Sequence, residues 1–364
     1  MSRCILRRAS SILGFFLCVS VSLPSVAAVS EFEESRKKTQ AGAEASATVQ
    51  KKVPWRNSLF VYENALSALS MNRGADLSYN PYYAQSLSFR PRYYAMDDLS
   101  FRARLDLEIE LTTSDETDHA REWIVSDLLL DTVYAPKWMK IPVVDILVSP
   151  SLRLMFPTSI VSRGRSLVMG LGPGFSLKRS FDLLKGRFLK SIGLLYAFRG
   201  TKYFNEYTTA QLNTSGVCSP TTNPDNPGCL HSGKRNVSWR LSNYLAAEVQ
   251  VMEKLLFSAH VFLFNDLLYG LDGETVEIEE SPSVELSESG VNHRASTWVI
   301  VDVSYDVLDW LSLSLGVSTY YPQLRSNSTY YGPFNRYTTF YFDVAVPVDA
   351  FVAQVQRWTG WGGK

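Results

Sequence analysis

The stretch LSFRARLDLEIELT, residues 99–112, decides the fold. Leu99, Phe101, Ala103, Leu105, Leu107, Ile109 and Leu111 share one parity. Ser100, Arg102, Arg104, Asp106, Glu108, Glu110 and Thr112 share the other. A helix would scatter these two sets around its circumference, whereas a strand sends them to opposite faces. The segment therefore reads as one long strand, apolar on one side and heavily charged on the other.

Working outward, the same period recurs. It predicts twelve strands, at 57–69, 83–95, 99–113, 122–136, 142–156, 165–179, 187–199, 236–251, 254–268, 294–307, 310–323 and 336–351. Most are far longer than the ~5–6 residues usual in globular proteins. A tilted strand crossing a bilayer needs ~9–11 residues plus its ends. The gaps alternate between short (96–98, 252–253, 308–309) and long (70–82, 200–235, 269–293). Aromatic residues such as Tyr93, Tyr134, Trp138, Phe156, Trp310 and Tyr321 recur near strand ends, where interfacial girdles are expected. A soluble all-β protein, with the apolar faces turned inward, is the competing fold. The many charges on the polar face and the length of the strands weigh against it.

The flanks fit an exported chain. Residues 1–28 read as a signal peptide: Arg3, Arg7 and Arg8 precede an apolar stretch from Ile12 to Leu23 and small residues at Val26-Ala27-Ala28. The segment carries three arginines and no acids, so the mature chain has 33 basic and 36 acidic residues. That balance excludes a generally nucleic-acid-binding surface. Residues 29–56 read as a flexible periplasmic tail and 352–364 as a C-terminal tail, leaving 57–351 as the barrel. Cys218 and Cys229 flank a run of turn formers and are expected to form a loop disulfide. No cofactor is expected, and the four histidines show no metal-ligand spacing.

With these features the chain resembles the bacterial outer-membrane β-barrel class over residues 57–351. The resemblance rests on the exported N-terminus, the dyad strands such as 99–112, and the asymmetry of the gaps. It implies a transmembrane up-and-down antiparallel barrel with short periplasmic turns and long extracellular loops. It also implies outer-membrane lipid, lipopolysaccharide and the barrel-assembly machinery as partners. That machinery commonly reads a terminal strand ending in an aromatic. Here the chain runs on past the candidate residue Phe351 to Lys364, with Pro347 suggesting a bulge near the seam.

If apolar faces meet lipid, charged faces line the interior. Arg92 should lie opposite Arg102, and Arg90 opposite Arg104. Like charges across a strand pair need counter-charges; Asp127, Asp131 and Asp145 are at suitable heights. Asp106, Glu108, Glu110, Arg153, Arg240, Glu248, Asp266 and Asp302 continue the lining. These residues fit a pore whose basic and acidic walls select small solutes. They fit equally a closed lumen rigidified by salt bridges, with the outer loops doing the work. Ser258, His260 and Asp266 share one strand face and raise a third reading, an outer-membrane hydrolase. Gly170, Gly172 and Gly174 fall on one inward face. They leave room for a ligand, an inserted loop or a large facing side chain, or they bend the wall. The acidic loop 269–293 reads as solvated or as a divalent-cation surface at the lipopolysaccharide.

Overall fold

The computed structural model describes residues 53–68, 82–112, 121–182, 189–213, 229–270, 292–323, 330–335 and 337–359. The signal peptide, Cys218 of the expected disulfide and most of the acidic loop 269–293 fall outside the described residues.

Twelve strands close into one antiparallel barrel. In chain order they are β1 (Leu59–Ser67), β2 (Tyr83–Arg90, continuing as Arg92–Tyr94), β3 (Leu99–Glu110), and β4 (Trp123–Val125 with Leu128–Tyr134). Then come β5 (Ile146–Phe156), β6 (Leu167–Asp182), β7 (Ser191–Asn205) and β8 (Val237–Gln250). The last four are β9 (Leu255–Leu268), β10 (His293–Leu308), β11 (Leu311–Pro322) and β12 (Thr338–Pro347). Each pairs with its sequence neighbours, and β1 with β12 closes the wall: Leu59 lies opposite Pro347 and Ser67 opposite Thr339. Closure removes every sheet edge, the condition for a sheet to sit in hydrocarbon.

The faces are sorted as the alternation requires. On β2 and β3, Phe89 is 51% exposed, Phe101 46% and Leu105 39%, while Ser88, Arg92, Ser100 and Arg104 are buried. Leu194, Leu245, Phe257, Val301, Leu315 and Phe340 continue the exposed apolar belt around the wall. Such a belt is stable only against lipid, since monomeric soluble proteins rarely expose contiguous apolar patches beyond a few hundred Å². The chain is thus an inside-out barrel of the outer membrane. Termini and short turns lie at the periplasmic end, and the longer loops at the extracellular end.

Several boundaries differ from the sequence reading. Strand β7 runs on to Asn205, into the expected loop 200–235, and Thr209–Asn213 pairs with Cys229–Arg235 as a separate hairpin. Residues 53–56, expected as free tail, are held with 57–58 along the periplasmic end of β2, where Tyr94 N–H donates to Pro54 O (2.8 Å), Ser58 Oγ to Arg92 O (3.2 Å), and Arg56 pairs with Asp97 at 2.9 Å. The expected last strand 336–351 ends at Pro347, and α2 (Val348–Thr359) follows. Proline lacks an N–H to continue the ladder, and its fixed φ suits a helix start. Phe351, expected to end a strand, is therefore helical. Its ring packs on Trp310 at 5.4 Å between centroids, and Trp358 meets the same Trp310 edge-on at 6.1 Å.

Candidate functional site

The interior is built in rows, because hydrogen-bonded neighbours on adjacent strands share a face. Strands tilt in a closed barrel, so a row perpendicular to them climbs as it goes round. One such row runs Arg92, Arg102, Asp131, Arg153, Gly172, from the periplasmic end of β2 to β6. Thr201 sits beside Gly172, and the row goes on through Arg240 and Asp266 to Arg294 at the extracellular end of β10. It joins the two mouths.

Within this row the charges pair tightly. Arg153 grips Asp131 in bidentate fashion, Nε to Oδ1 and Nη2 to Oδ2, both at 2.8 Å. Arg240 grips Asp266 likewise at 2.6 and 2.7 Å. Arg199 of β7 adds a third arginine: its Nη2 lies 3.4 Å from Asp131 Oδ1 and donates to Ser151 Oγ at 3.3 Å. Glycine makes that reach feasible. A Cβ at Gly172 would sit 3.1 Å from Arg199 Cδ, and one at Gly174 only 3.2 Å from Arg199 Cβ. The bare inward face of β6 is therefore the bed of an arginine from the next strand.

One strand step away, Arg104 binds Asp106 (Nε to Oδ1 2.9 Å, Nη2 to Oδ2 2.5 Å), and Ser88 Oγ donates to the same carboxylate. Arg90 donates to Ser88 Oγ at 2.8 Å. Arg92 does face Arg102 in register; its charge is shared by Ser100 Oγ at 3.0 Å and by the Tyr94 ring. The register on both sides of Pro91, Phe89 with Leu105 and Arg92 with Arg102, places Arg90 opposite Arg104 as expected. Acidic groups follow further along β3 and on β1 and β12: Glu108 accepts from Tyr82 Oη at 2.6 Å, Glu110 is 1% exposed, and Glu63 lies opposite Asp343.

Two expected lining residues do other work. Asp145 is not in the lumen. It sits in the turn before β5, more than half exposed and paired with Lys140, because the inward face begins only at Leu147. Asp127 points inward but is occupied by the β5–β6 loop: its carboxylate accepts from Ser159 N–H (3.0 Å) and Ser162 Oγ (2.5 Å) at α1 (Ile160–Gly164). That ties the loop across the extracellular mouth. Asn205 and Asn236 both donate to the carbonyl of Arg165, at 2.7 and 2.8 Å, and Arg165 lies within electrostatic reach of Arg240 and Asp266.

Along β8 to β11, on the periplasmic side of Arg240, Asp266 and Arg294, the interior is aromatic, which the sequence reading missed. Tyr320, Trp298, Phe262 and Tyr244 form a row of their own. Phe262 stacks on Tyr244 at 4.3 Å and on Trp298 at 4.8 Å, and each of the three is 3% exposed. These rings fill part of the lumen. The only sequence signal is parity, since they share the face of His260. On β9 it is masked by the equally apolar outward residues Phe257, Val261 and Leu263.

Next to the rings, Ser258 Oγ lies 2.8 Å from His260 Nε2 and donates to Asp302 Oδ2 at 2.6 Å, while Tyr244 Oη sits 2.9 Å from His260 Nδ1. Glu248 lies beside Ser258 in register. A nucleophile relay needs the acid on the far nitrogen of the imidazole. Here the acid binds the hydroxyl itself, a tyrosine takes the far nitrogen, and His260 is only 2% exposed. The expected partner Asp266 belongs to Arg240. The cluster is a buried polar clasp between β8, β9 and β10.

No family model matches the chain, and no curated protein does. Among solved structures, it is similar to the COG4313 outer membrane channel from Pseudomonas putida F1, at 10% identity over 83% of this chain and 99% of that one, with TM-score 0.47. It is also similar to the NanC porin (11% identity, 79% and 98% coverage, TM-score 0.38) and to Salmonella typhi OmpF (10% identity, 79% and 96% coverage, TM-score 0.31). The assignment stands on the molecule's own features. A closed antiparallel wall with an apolar exterior and a charged, partly aromatic interior makes this chain a twelve-stranded outer-membrane β-barrel.

Proposed function

We propose that this barrel is a narrow porin-like channel that admits small solutes across the outer membrane. One observation carries the reading: some charged side chains of the interior keep contact with solvent where its rings do not. The side chains of Arg199, Arg240 and Asp106 retain 16–19% exposure, whereas Phe262, Trp298 and His260 retain 2–3%. The rings thus narrow a lumen in which these three charged groups still meet solvent, while Arg92, Asp131, Arg153 and Asp266 are buried in the wall. Twelve strands suit such a bore. Eight leave no pore, and sixteen to eighteen leave a wide one.

A second reading draws on the same packing. If the aromatic rows and ion pairs meet across the whole section, the lumen is closed and the extracellular loops do the work. Planar-bilayer recording of the purified barrel separates the two. Discrete conductance steps support the channel; absence of current at every applied voltage overturns it.

A further inference from the structure

We infer that helix α2 is a membrane-interface anchor: it lies at the rim of the barrel in the periplasmic leaflet, with its apolar stripe against phospholipid. The inference does not depend on whether the lumen conducts. Val348, Phe351, Val352, Val355 and Trp358 recur at intervals of three and four and fall on one stripe of the helix. Asp349, Gln356 and Arg357 fall outside it. A helix of twelve residues is marginal in water and draws its stability from whatever covers such a stripe. Here none of the twelve is buried: Phe351 is 37% exposed and Trp358 64%, although both rings meet Trp310. The protein covers only part of the stripe. Nor is the helix packed into the lumen, since the inward apolar group at that mouth, Leu59, Val61 and Ala345, includes no residue of α2.

The helix begins where the lipid-facing belt ends. Val348 N–H donates to Ser58 O at 2.9 Å, one step beyond the Leu59–Pro347 pair, so its first turn is level with the last rung of the wall. On one side the belt reaches Phe60, exposed opposite Val346. On the other it reaches Leu308, exposed and opposite Leu311 across the turn that carries Trp310. Trp358 comes about two helical turns after Phe351 and meets the same Trp310 ring, so the helix stays beside that turn along its length. Its stripe therefore continues a surface that already faces lipid. Phenylalanine and tryptophan on one side, with an arginine on the other, suit the boundary between headgroups and acyl chains.

The test is spin labelling of the full-length barrel in phosphatidylethanolamine–phosphatidylglycerol vesicles, with the native cysteines replaced by serine. Nitroxides are attached singly at Val355→Cys and Trp358→Cys on the stripe and at Arg357→Cys on the far side, with folding checked by the heat-dependent gel shift. The stripe labels are expected to relax several-fold faster with oxygen, which concentrates in bilayers, than with a water-soluble nickel chelate, and the Arg357 label to show the reverse. Equal access of nickel to all three sites puts α2 in water and overturns the anchor. Dipolar broadening between molecules that survives dilution with lipid assigns the stripe to a second copy of the chain and overturns it too. With the cysteines left in place, Trp358→Phe is expected to reduce the tryptophan emission quenched by phospholipid brominated near the headgroup. An unchanged quenched emission overturns the anchor as well.

Discussion

The guanidinium of Arg199 on β7 reaches the carboxylate of Asp131 on β4 at 3.4 Å, passing over two intervening strands. It can do so because β6 presents Gly172 and Gly174 to the interior there. A residue chosen for having no side chain thereby sets the position of a charge three strands away from its partner.

The two glycines should differ in their tolerance of alanine. At Gly172 the new methyl meets side-chain atoms, Thr201 Oγ1 at 2.7 Å and Arg199 Cδ at 3.1 Å, which can shift. At Gly174 it meets the backbone carbonyl of Phe198 at 2.6 Å, which cannot shift alone. Gly174→Ala is expected to cost about 1–3 kcal/mol and Gly172→Ala less. The temperature at which the folded band disappears on unboiled gels measures this. Equal losses would contradict the bed described for Arg199.

Removing Asp131 strips the shared carboxylate from Arg153 and Arg199. Breaking a buried pair from one side costs about 3–5 kcal/mol. Asp131→Ala is expected to fall in that range, and Asp131→Leu combined with Arg153→Met to recover much of it. A double variant no more stable than the single one would show that the pair is not the source of the loss.

The Ser258–His260–Asp302 clasp is expected to hold strands together and to turn over nothing. Ser258→Ala and His260→Ala should lower unfolding temperature, and release of product from ester, phospholipid or peptide substrates should match the unaltered barrel. A cleavage activity present in the parent and lost in both variants would restore the hydrolase reading.

At the periplasmic rim, Lys190 donates to Glu253 at 2.7 Å and holds that carboxyl below the usual glutamate range. A depressed folded-state value means the contact stabilises above the unfolded value of 4.5 and is lost as pH falls through the folded one. Glu253 is fully exposed, so the effect is small and salt-screened. An NMR titration should place the Glu253 midpoint below that of an unfolded peptide, and Lys190→Gln should abolish the difference.

Helix α2 is held by aromatic contact, since Phe351 and Trp358 share Trp310. Trp310→Ala is expected to loosen it, so that trypsin cuts after Arg357 several-fold faster while the barrel band persists. An unchanged cutting rate would mean that other contacts secure the helix.

The sequence by itself determined the inside-out barrel, the strand number, and which faces of β2 and β3 carry charge. Period-two alternation is a local property, and it survives in any chain whose two faces meet different solvents. It could not determine which charges meet. Arg199 with Asp131, Arg240 with Asp266, and Asp127 with the β5–β6 loop depend on the shear of the closed wall, which relates strands distant along the chain. Asp145 was misplaced by only a few residues, because a strand's end is less sharply written than its middle. The aromatic side of the lumen was hidden for a different reason. On β9, Phe262 and Phe264 face inward and Phe257 and Val261 outward, so both faces are apolar and parity has no contrast to read. Only the packing of β8 to β11 against one another decided that those rings fill the bore.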